Sequence, residues 1–195
     1  MRRLQEPLCR RCGVEVESAR DTCGCRTRLV ALSRLRSAAA YEGTLETAIH
    51  RFKYQGWRRL AEPMALLMAE RLMVEGLAAG WALAVPLHPS RLRSRGYNQA
   101  ELLARELRRR LSLTAPPGEL VRTRATPSQV GHDRLWRQAN VRDAFEWRGE
   151  RLWGVPILLV DDVATTGATL DACASALRAA ESGSVTGISL ARVTL

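Results

Sequence analysis

No apolar run in this 195-residue chain approaches the ~18 residues that a membrane-spanning helix needs. Met1-Arg2-Arg3 is not followed by the apolar core of a secretory signal either, so the cytoplasm is the default location. Internal repeats and low-complexity tracts are missing, and no helix-turn-helix signature stands out, which argues against an array protein and against a DNA-reading regulator. Lysine is nearly absent: Lys53 stands alone, and arginine supplies the rest of the 30 basic residues that face 20 acidic ones. The net charge of +10 invites a polyanion, either nucleic acid or a substrate bearing pyrophosphate. A biased nucleotide composition also favours arginine over lysine, so charge alone does not decide. What the chain does have is 46% hydrophobic and 26% charged residues, enough for one compact domain with a small appendage.

The segment Ile157-Leu158-Leu159-Val160-Asp161-Asp162-Val163-Ala164-Thr165-Thr166-Gly167-Ala168-Thr169 has three parts in a fixed order. Its apolar start, residues 157–160, predicts a buried parallel strand bounded upstream by Gly154 and Pro156. Asp161 and Asp162 then fall at the strand's carboxyl end, where open α/β sheets bind ligands. Small and hydroxyl residues lead into Leu170, Cys173, Ala174 and Leu177, which have helical spacing. Such a turn at a helix N-terminus presents backbone N–H groups and a positive dipole end to a phosphate. Carboxylates beside a phosphate are repulsive unless they address sugar hydroxyls or a divalent cation, so the residues suit a phosphorylated sugar with a metal. The plainer alternative is an ordinary strand–turn–helix whose acids cap the helix. Residue for residue, the segment resembles the 5-phosphoribosyl-1-diphosphate (PRPP) signature of the type I phosphoribosyltransferases. That resemblance implies that Asp161 and Asp162 hold the ribose 2′ and 3′ hydroxyls. It implies a wrap around the 5′-phosphate for Ala164, Thr165, Thr166, Gly167, Ala168 and Thr169, with magnesium accompanying PRPP.

Four of the five cysteines lie near the N-terminus. Cys9-Arg10-Arg11-Cys12 is a CxxC knuckle, and Cys23-Gly24-Cys25 adds a second close pair. Two such pairs joined by a short loop can close a tetrahedral zinc site. The surrounding segment is polar and arginine-rich, too poor in apolar residues for its own core, so a structural zinc would supply folding energy. Of the competing readings, a disulfide pair fits a cytoplasmic chain poorly, and a thioredoxin-type redox centre lacks its βαβ context. Cys173 falls on an apolar helical stripe and reads as a small buried hydrophobe. The expected division is a zinc-ribbon-like segment over residues 1–34 and a second domain over 35–195.

Between these landmarks strands and helices alternate. Residues 37–41 read as a short strand, Glu42-Gly43 as the turn into a helix over 44–52, and Leu60, Met64, Leu67, Met68 and Leu72 as a second helical stripe. Residues 81–87 predict a buried strand ending in Pro86. Asn98 with Glu101 resembles a capping box for the helix carrying Leu103, Leu107 and Leu111. Ala115-Pro116-Pro117-Gly118 breaks that helix; 119–122 and 185–193 add further strands. The alternation argues for an α/β fold, a mostly parallel sheet with helices on both faces.

Three further segments carry candidate chemistry. In residues 85–100, Leu87-His88-Pro89 precedes Arg91, Arg93 and Arg95, which in an extended loop point to one side and suit pyrophosphate through their guanidinium forks. The same arginines would also suit a solvated loop, and His88 is either a proton donor or structural. Residues 126–141 are long, polar and glycine-containing, like a loop that closes over a site. Their Arg134 and Arg137 could clamp a diphosphate, nucleic acid or neither. Phe52-Lys53-Tyr54-Gln55-Gly56 holds the only lysine, in a specific role or at the surface. Trp57, Trp136 and Tyr97 are either base-stacking residues or core.

Together these pieces resemble the competence-protein ComF family of phosphoribosyltransferase-like proteins. The resemblance spans nearly the whole chain: the cysteine cluster, Phe52-Lys53-Tyr54 with Gly56, Val85-Pro86-Leu87-His88-Pro89 with Arg91, and Arg95-Gly96-Tyr97-Asn98-Gln99-Ala100. It continues through Thr126-Pro127-Ser128-Gln129, Arg134, Arg137, Asn140-Val141, Ala144-Phe145 and the PRPP motif. It implies a type I phosphoribosyltransferase fold and a role in DNA uptake during natural transformation, where members handle incoming single-stranded DNA in the cytoplasm beside other competence proteins.

Two departures bear on mechanism. Purine-salvage phosphoribosyltransferases carry an acidic general base four residues after the first carboxylate; here Thr165 stands there, and a hydroxyl cannot abstract a proton at neutral pH. A purine acceptor is therefore disfavoured. The chain also stops at Leu195, after its last expected strand, so the hood that selects the acceptor is expected from the cysteine segment or a partner. The leading expectation is a PRPP- and magnesium-binding phosphoribosyltransferase-like protein. In it, Leu87, His88, Arg91 and Arg95 serve pyrophosphate, while Lys53, Arg134 and Arg137 are loop candidates. The alternative is a non-enzymatic single-stranded-DNA adaptor that uses PRPP as a regulatory ligand. Neither the acceptor nor the oligomeric state is legible in the sequence.

Overall fold

The computed structural model describes residues 1–18, 23–25, 27, 29–76, 79–124 and 144–194. Strands and helices alternate as β1 (Arg34–Ala40), α1 (Gly43–Tyr54), a 3-10 turn (Arg58–Leu60), α2 (Ala61–Val74), β2 (Trp81–Ala84), α3 (Pro89–Arg95) and α4 (Gln99–Leu111). They continue as β3 (Gly118–Arg122), β4 (Phe145–Gly149), β5 (Ile157–Ala164), α5 (Ala168–Ala179) and β6 (Val185–Arg192). Strands β1, β6, β5 and β2 lie side by side in that order, and every neighbouring pair is parallel. No described helix is long and apolar enough to cross a membrane.

Each face of this sheet is buried, which is why β2 and the first half of β5 read as continuous apolar runs. On β5, Leu158 and Val160 point into one core with Ile49 and Phe52 of α1, Met68 and Leu72 of α2, and Leu103 and Leu107 of α4. Ile157 and Leu159 point into a second core with Leu170, Cys173 and Leu177 of α5. Helices thus cover both faces, as the alternation predicts. The N-terminal segment does not stand apart. Cys9, Cys12, Cys25, Leu29 and Leu32 belong to the second core, so the sheet domain supplies the apolar partners that this segment lacks.

Helix boundaries follow local chemistry. Asn98 caps α4 by accepting from the Ala100 N–H at 3.0 Å, and Arg108, Arg109 and Arg110 fill the last turn, where the dipole favours cations. The reciprocal half of the expected capping box does not form. Glu101 instead pairs with Arg108, a charged donor that competes well with a neutral backbone N–H.

Two expectations need correction, and the strand expected over 119–122, though it forms as β3, stands outside the parallel sheet: it pairs antiparallel with β4, whose Phe145 and Trp147 face one way between polar neighbours. That two-residue alternation was present in the sequence as a strand signal. Strand β5 does not end at Val160 but runs through the acid pair to Ala164, because β6 continues to pair with it as far as Arg192. Residues 89–95 form a helix rather than an extended loop. Pro89 sits in its first turn, the His88 ring accepts from the Ser90 N–H at 3.3 Å, and Gly96 (φ 78°) closes it in the left-handed region.

Candidate functional site

A cavity of about 840 Å³ opens at the carboxyl end of β5. Its walls come from Asp161–Ala164 and the turn 165–167, the first turn of α5, the 85–87 segment after β2, Arg91 and Arg95 of α3, Lys53 and Tyr54 of α1, and Arg122 of β3. At the turn, Gly167 is the α5 N-cap with φ 84°, a conformation that L side chains rarely adopt. A Cβ there would lie 2.9 Å from Leu35 Cδ2 and 3.1 Å from Leu29 Cδ2, so the backbone runs tightly over these two leucines. The Thr166 hydroxyl accepts from the Ala168 N–H at 3.3 Å. Backbone donors and the positive end of α5 therefore face the cavity, as an anion requires.

Because β5 is still a strand at the acid pair, its pleat sends the two carboxylates to opposite faces of the sheet. Asp162 follows Leu158 and Val160 toward α1, where its Oδ2 lies 3.0 Å from Lys53 Nζ. Both side chains are largely buried, 4% and 20% exposed, so the lysine holds a specific position rather than a surface one. Burial works against the Lys53 ammonium, but the charges of Asp162 and Asp161 more than offset it and raise its pKa. Asp161 turns to the α5 face and accepts from the Asp162 N–H at 2.8 Å. Burial, then the neighbouring Asp162, raise its carboxyl from 3.8 to about 8, with Lys53 offsetting part of the effect. Asp162 thus has a lysine countercharge within 3.0 Å, whereas Asp161 is left to burial on the α5 face.

Helix geometry sorts the arginines of α3. Arg91 and Arg95, four residues apart, share a face and line the cavity; Arg93 does not. Arg95 donates to Gln99 and lies 5.0 Å over the Tyr54 ring. Leu87 lines the cavity, whereas His88 serves as the α3 cap and contributes no wall. Arg134 and Arg137, with Trp136 and the rest of 126–141, fall outside the described residues. Sequence reading missed Arg122. It enters from β3, 5.4 Å over the Phe145 ring, and burial and then Arg91 lower its pKa. Two arginines that repel one another across a cavity favour an anion between them. Tyr97, a stacking candidate, is core: its hydroxyl donates to the Phe52 carbonyl, while Trp57 is 48% exposed.

The four N-terminal thiols are free, and their sulfurs all lie within 4.8 Å of one another. Cys9 and Cys25 approach to 3.7 Å, and Cys12 and Cys23 to 3.4 Å. This set could hold a metal ion. Burial pushes Cys12 up and Cys25 up to about 11; Cys9, though burial opposes it, is lowered to about 7 by the N–H groups of Cys12 and Arg11.

No protein-family model matches the sequence. Individual relatives do. The DNA utilization protein YhgH of Escherichia coli K12 is 30% identical over 174 residues, which is 86% of this chain and 76% of that protein. Its counterpart in Salmonella typhimurium is 29% identical over the same length. Competence protein F of Haemophilus influenzae is 32% identical over 185 residues, 88% of this chain and 79% of that protein. Kinship at that level over most of both sequences means that the chain belongs to the ComF family.

Proposed function

We propose that this chain binds PRPP with magnesium in the cavity at the end of β5, as a phosphoribosyltransferase-like protein of the DNA-uptake system, acting in the cytoplasm. The observation that carries the reading is the juxtaposition around Gly167. An anion-accepting turn at a helix N-terminus stands beside two carboxylates and faces arginines across one cavity. In this reading residues 35–195 are a type I phosphoribosyltransferase-like domain and residues 1–34 a zinc-binding segment. The turn 164–169 holds the 5′-phosphate, and Asp161 and Asp162 accept from the ribose hydroxyls. Arg91 and Arg95, with Arg122, hold the diphosphate, and Leu87 shapes its seat. Magnesium, when bound, neutralises charge on the diphosphate.

If the chain is catalytic, the bond broken joins C1 of the ribose to the diphosphate oxygen, through a cation-like transition state. The arginines stabilise the departing anion, and the carboxylates fix the ring. Thr165 lines the cavity where purine-salvage enzymes place their base and cannot deprotonate an acceptor, so an acceptor must arrive already nucleophilic. The cysteine set fits zinc. Tetrahedral Zn–S bonds of ~2.3 Å imply sulfur separations of about 3.8 Å, near the observed spacing.

Calorimetry tests the binding: PRPP should bind only with magnesium, and Arg91→Ala with Arg95→Ala should weaken it at least tenfold. Binding indifferent to both overturns the site. A pyrophosphate-release screen across acceptors, single-stranded DNA included, then separates an enzyme from the adaptor alternative. One observation favours a DNA surface in either case. Arg51, Arg58, Arg59, Arg91, Arg93 and Arg95 form no ion pair with a described carboxylate, whereas Arg2, Arg3, Arg71, Arg108 and Arg110 do. Two of them lie on exposed rings, Arg51 4.8 Å over Trp57 and Arg95 5.0 Å over Tyr54. Unpaired cations interleaved with exposed rings suit unstacked bases.

A further inference from the structure

The four-cysteine segment touches the phosphate turn directly. Leu29 follows Cys25 by four residues, and its N–H donates to the Cys25 carbonyl at 2.8 Å. Arg11, inside the CxxC knuckle, donates from Nε to the Leu29 carbonyl at 2.8 Å and from Nη2 to the Val30 carbonyl at 3.2 Å. The Arg11 carbonyl in turn accepts from the Leu35 N–H at 2.7 Å. Knuckle, second cysteine pair and strap 29–35 are therefore one hydrogen-bonded unit. That unit has two attachments to the phosphate site. Asp171, in the first turn of α5, accepts through Oδ1 from the N–H groups of Ala31 at 3.0 Å and Leu32 at 2.9 Å. The fully buried Leu29 and Leu35 floor Gly167, leaving no room for even a methyl group.

From these contacts we infer that the metal centre positions the phosphate turn. Ion occupancy at Cys9, Cys12, Cys23 and Cys25 holds the strap, and the strap sets the φ of Gly167 and the direction of the N–H groups at the start of α5. Leu29 and Asp171 are the positioning residues, acting through the turn and touching no ligand. Without the ion, the cysteine pairs have no common tether, the second core loses its N-terminal edge, and the floor under Gly167 is free to drop. Affinity for a sugar phosphate then depends on metal at a site that is not part of the cavity. A preorganised set of amide donors loses most of its binding advantage once the donors can rotate.

This inference rests on the phosphate-site reading above, and the test keeps the two apart. Metal-loaded protein, chelator-treated protein, Leu29→Ala and Asp171→Asn are compared by hydrogen exchange at amides 165–170 with no ligand, and by calorimetry with ribose 5-phosphate. Loaded Leu29→Ala and Asp171→Asn should keep the wild-type metal content and a cooperative melt. Both, and the stripped wild type, should exchange faster at 165–170 and bind ribose 5-phosphate at least tenfold more weakly. Exchange at 165–170 unchanged by stripping and by Leu29→Ala overturns the coupling. Ribose 5-phosphate that fails to bind loaded wild type overturns the phosphate site instead, and the exchange arm still decides whether the cysteine centre controls the turn.

Discussion

Replacing Asp161 by Asn tests the electrostatics of the cavity directly. Burial and the adjacent Asp162 raise the Asp161 carboxyl from 3.8 to about 8. Between those two values the folded chain holds a proton that the unfolded chain has already released, so stability falls as pH rises. The contribution of this group is full below about pH 4 and gone above about pH 8. Asparagine mimics the protonated acid at every pH and escapes the loss. A shift from 3.8 to about 8, at ~1.4 kcal/mol per unit, sets a ceiling near 6 kcal/mol. Water and counter-ions reach the carboxylate from the open side of the cavity, so we expect about a third of that, roughly 2 kcal/mol at pH 8. For a domain of this size, ~1 kcal/mol moves Tm by about 2–4 °C, so Asp161→Asn should melt about 4–8 °C above wild type at pH 8. The gain should shrink to nothing near pH 4. Scanning calorimetry of both proteins across that range gives the answer, and a gain that does not grow with pH, or a lower Tm at pH 8, refutes the reasoning. Above about pH 8, where the wild-type acid is ionised, the same variant should lose PRPP affinity about ten- to hundredfold, the worth of one charged hydrogen bond. A helix-capping role for the acid predicts the reverse, a lower Tm with binding intact.

Lys53→Met removes the countercharge of a carboxylate that is 4% exposed, and denaturant unfolding should show a loss of about 3 kcal/mol, part of which Asp162→Asn recovers in the double variant. Metal analysis of protein prepared without chelator should find about one zinc per chain, and Cys9→Ser with Cys12→Ser should abolish it while the sheet domain stays folded. Single-stranded DNA binding should weaken steeply with salt as counterions are released. Tyr54→Ala and Trp57→Ala should each cost about 1–3 kcal/mol at low ionic strength, measured by fluorescence anisotropy. Affinity indifferent to salt and to both rings removes the nucleic-acid surface.

Much of the site was legible because its parts are contiguous. The apolar run ending in Val160, the acids, the small-residue turn and the stripe Leu170, Cys173, Leu177 form one strand–turn–helix, and each step is a local preference of backbone and burial. The cysteine pairs were legible for a similar reason, since ligand spacing is a local property. Even the α3 helix had its signals, Pro89 at the start and Gly96 at the end, but three alternating arginines read more strongly as an extended comb. Alternation in sequence brings side chains together only on a strand; on a helix it parts Arg93 from Arg91 and Arg95.

The sequence by itself determined the class of the chain: a basic α/β protein with a strand–turn–helix of small residues, an acid pair and a four-cysteine cluster. Only the tertiary structure decided that Lys53 pairs with Asp162, that Asp161 is left to burial on the other face, and that Arg122 reaches from β3 into the cavity that Arg91 lines. It alone set the cysteine strap beneath Gly167. These pairings join residues from about 30 to more than 130 positions apart, which are matched by the register of parallel strands and the packing of two cores. Local propensity carries no record of such distances, because the chain pays for closing them collectively, through burial, and not residue by residue.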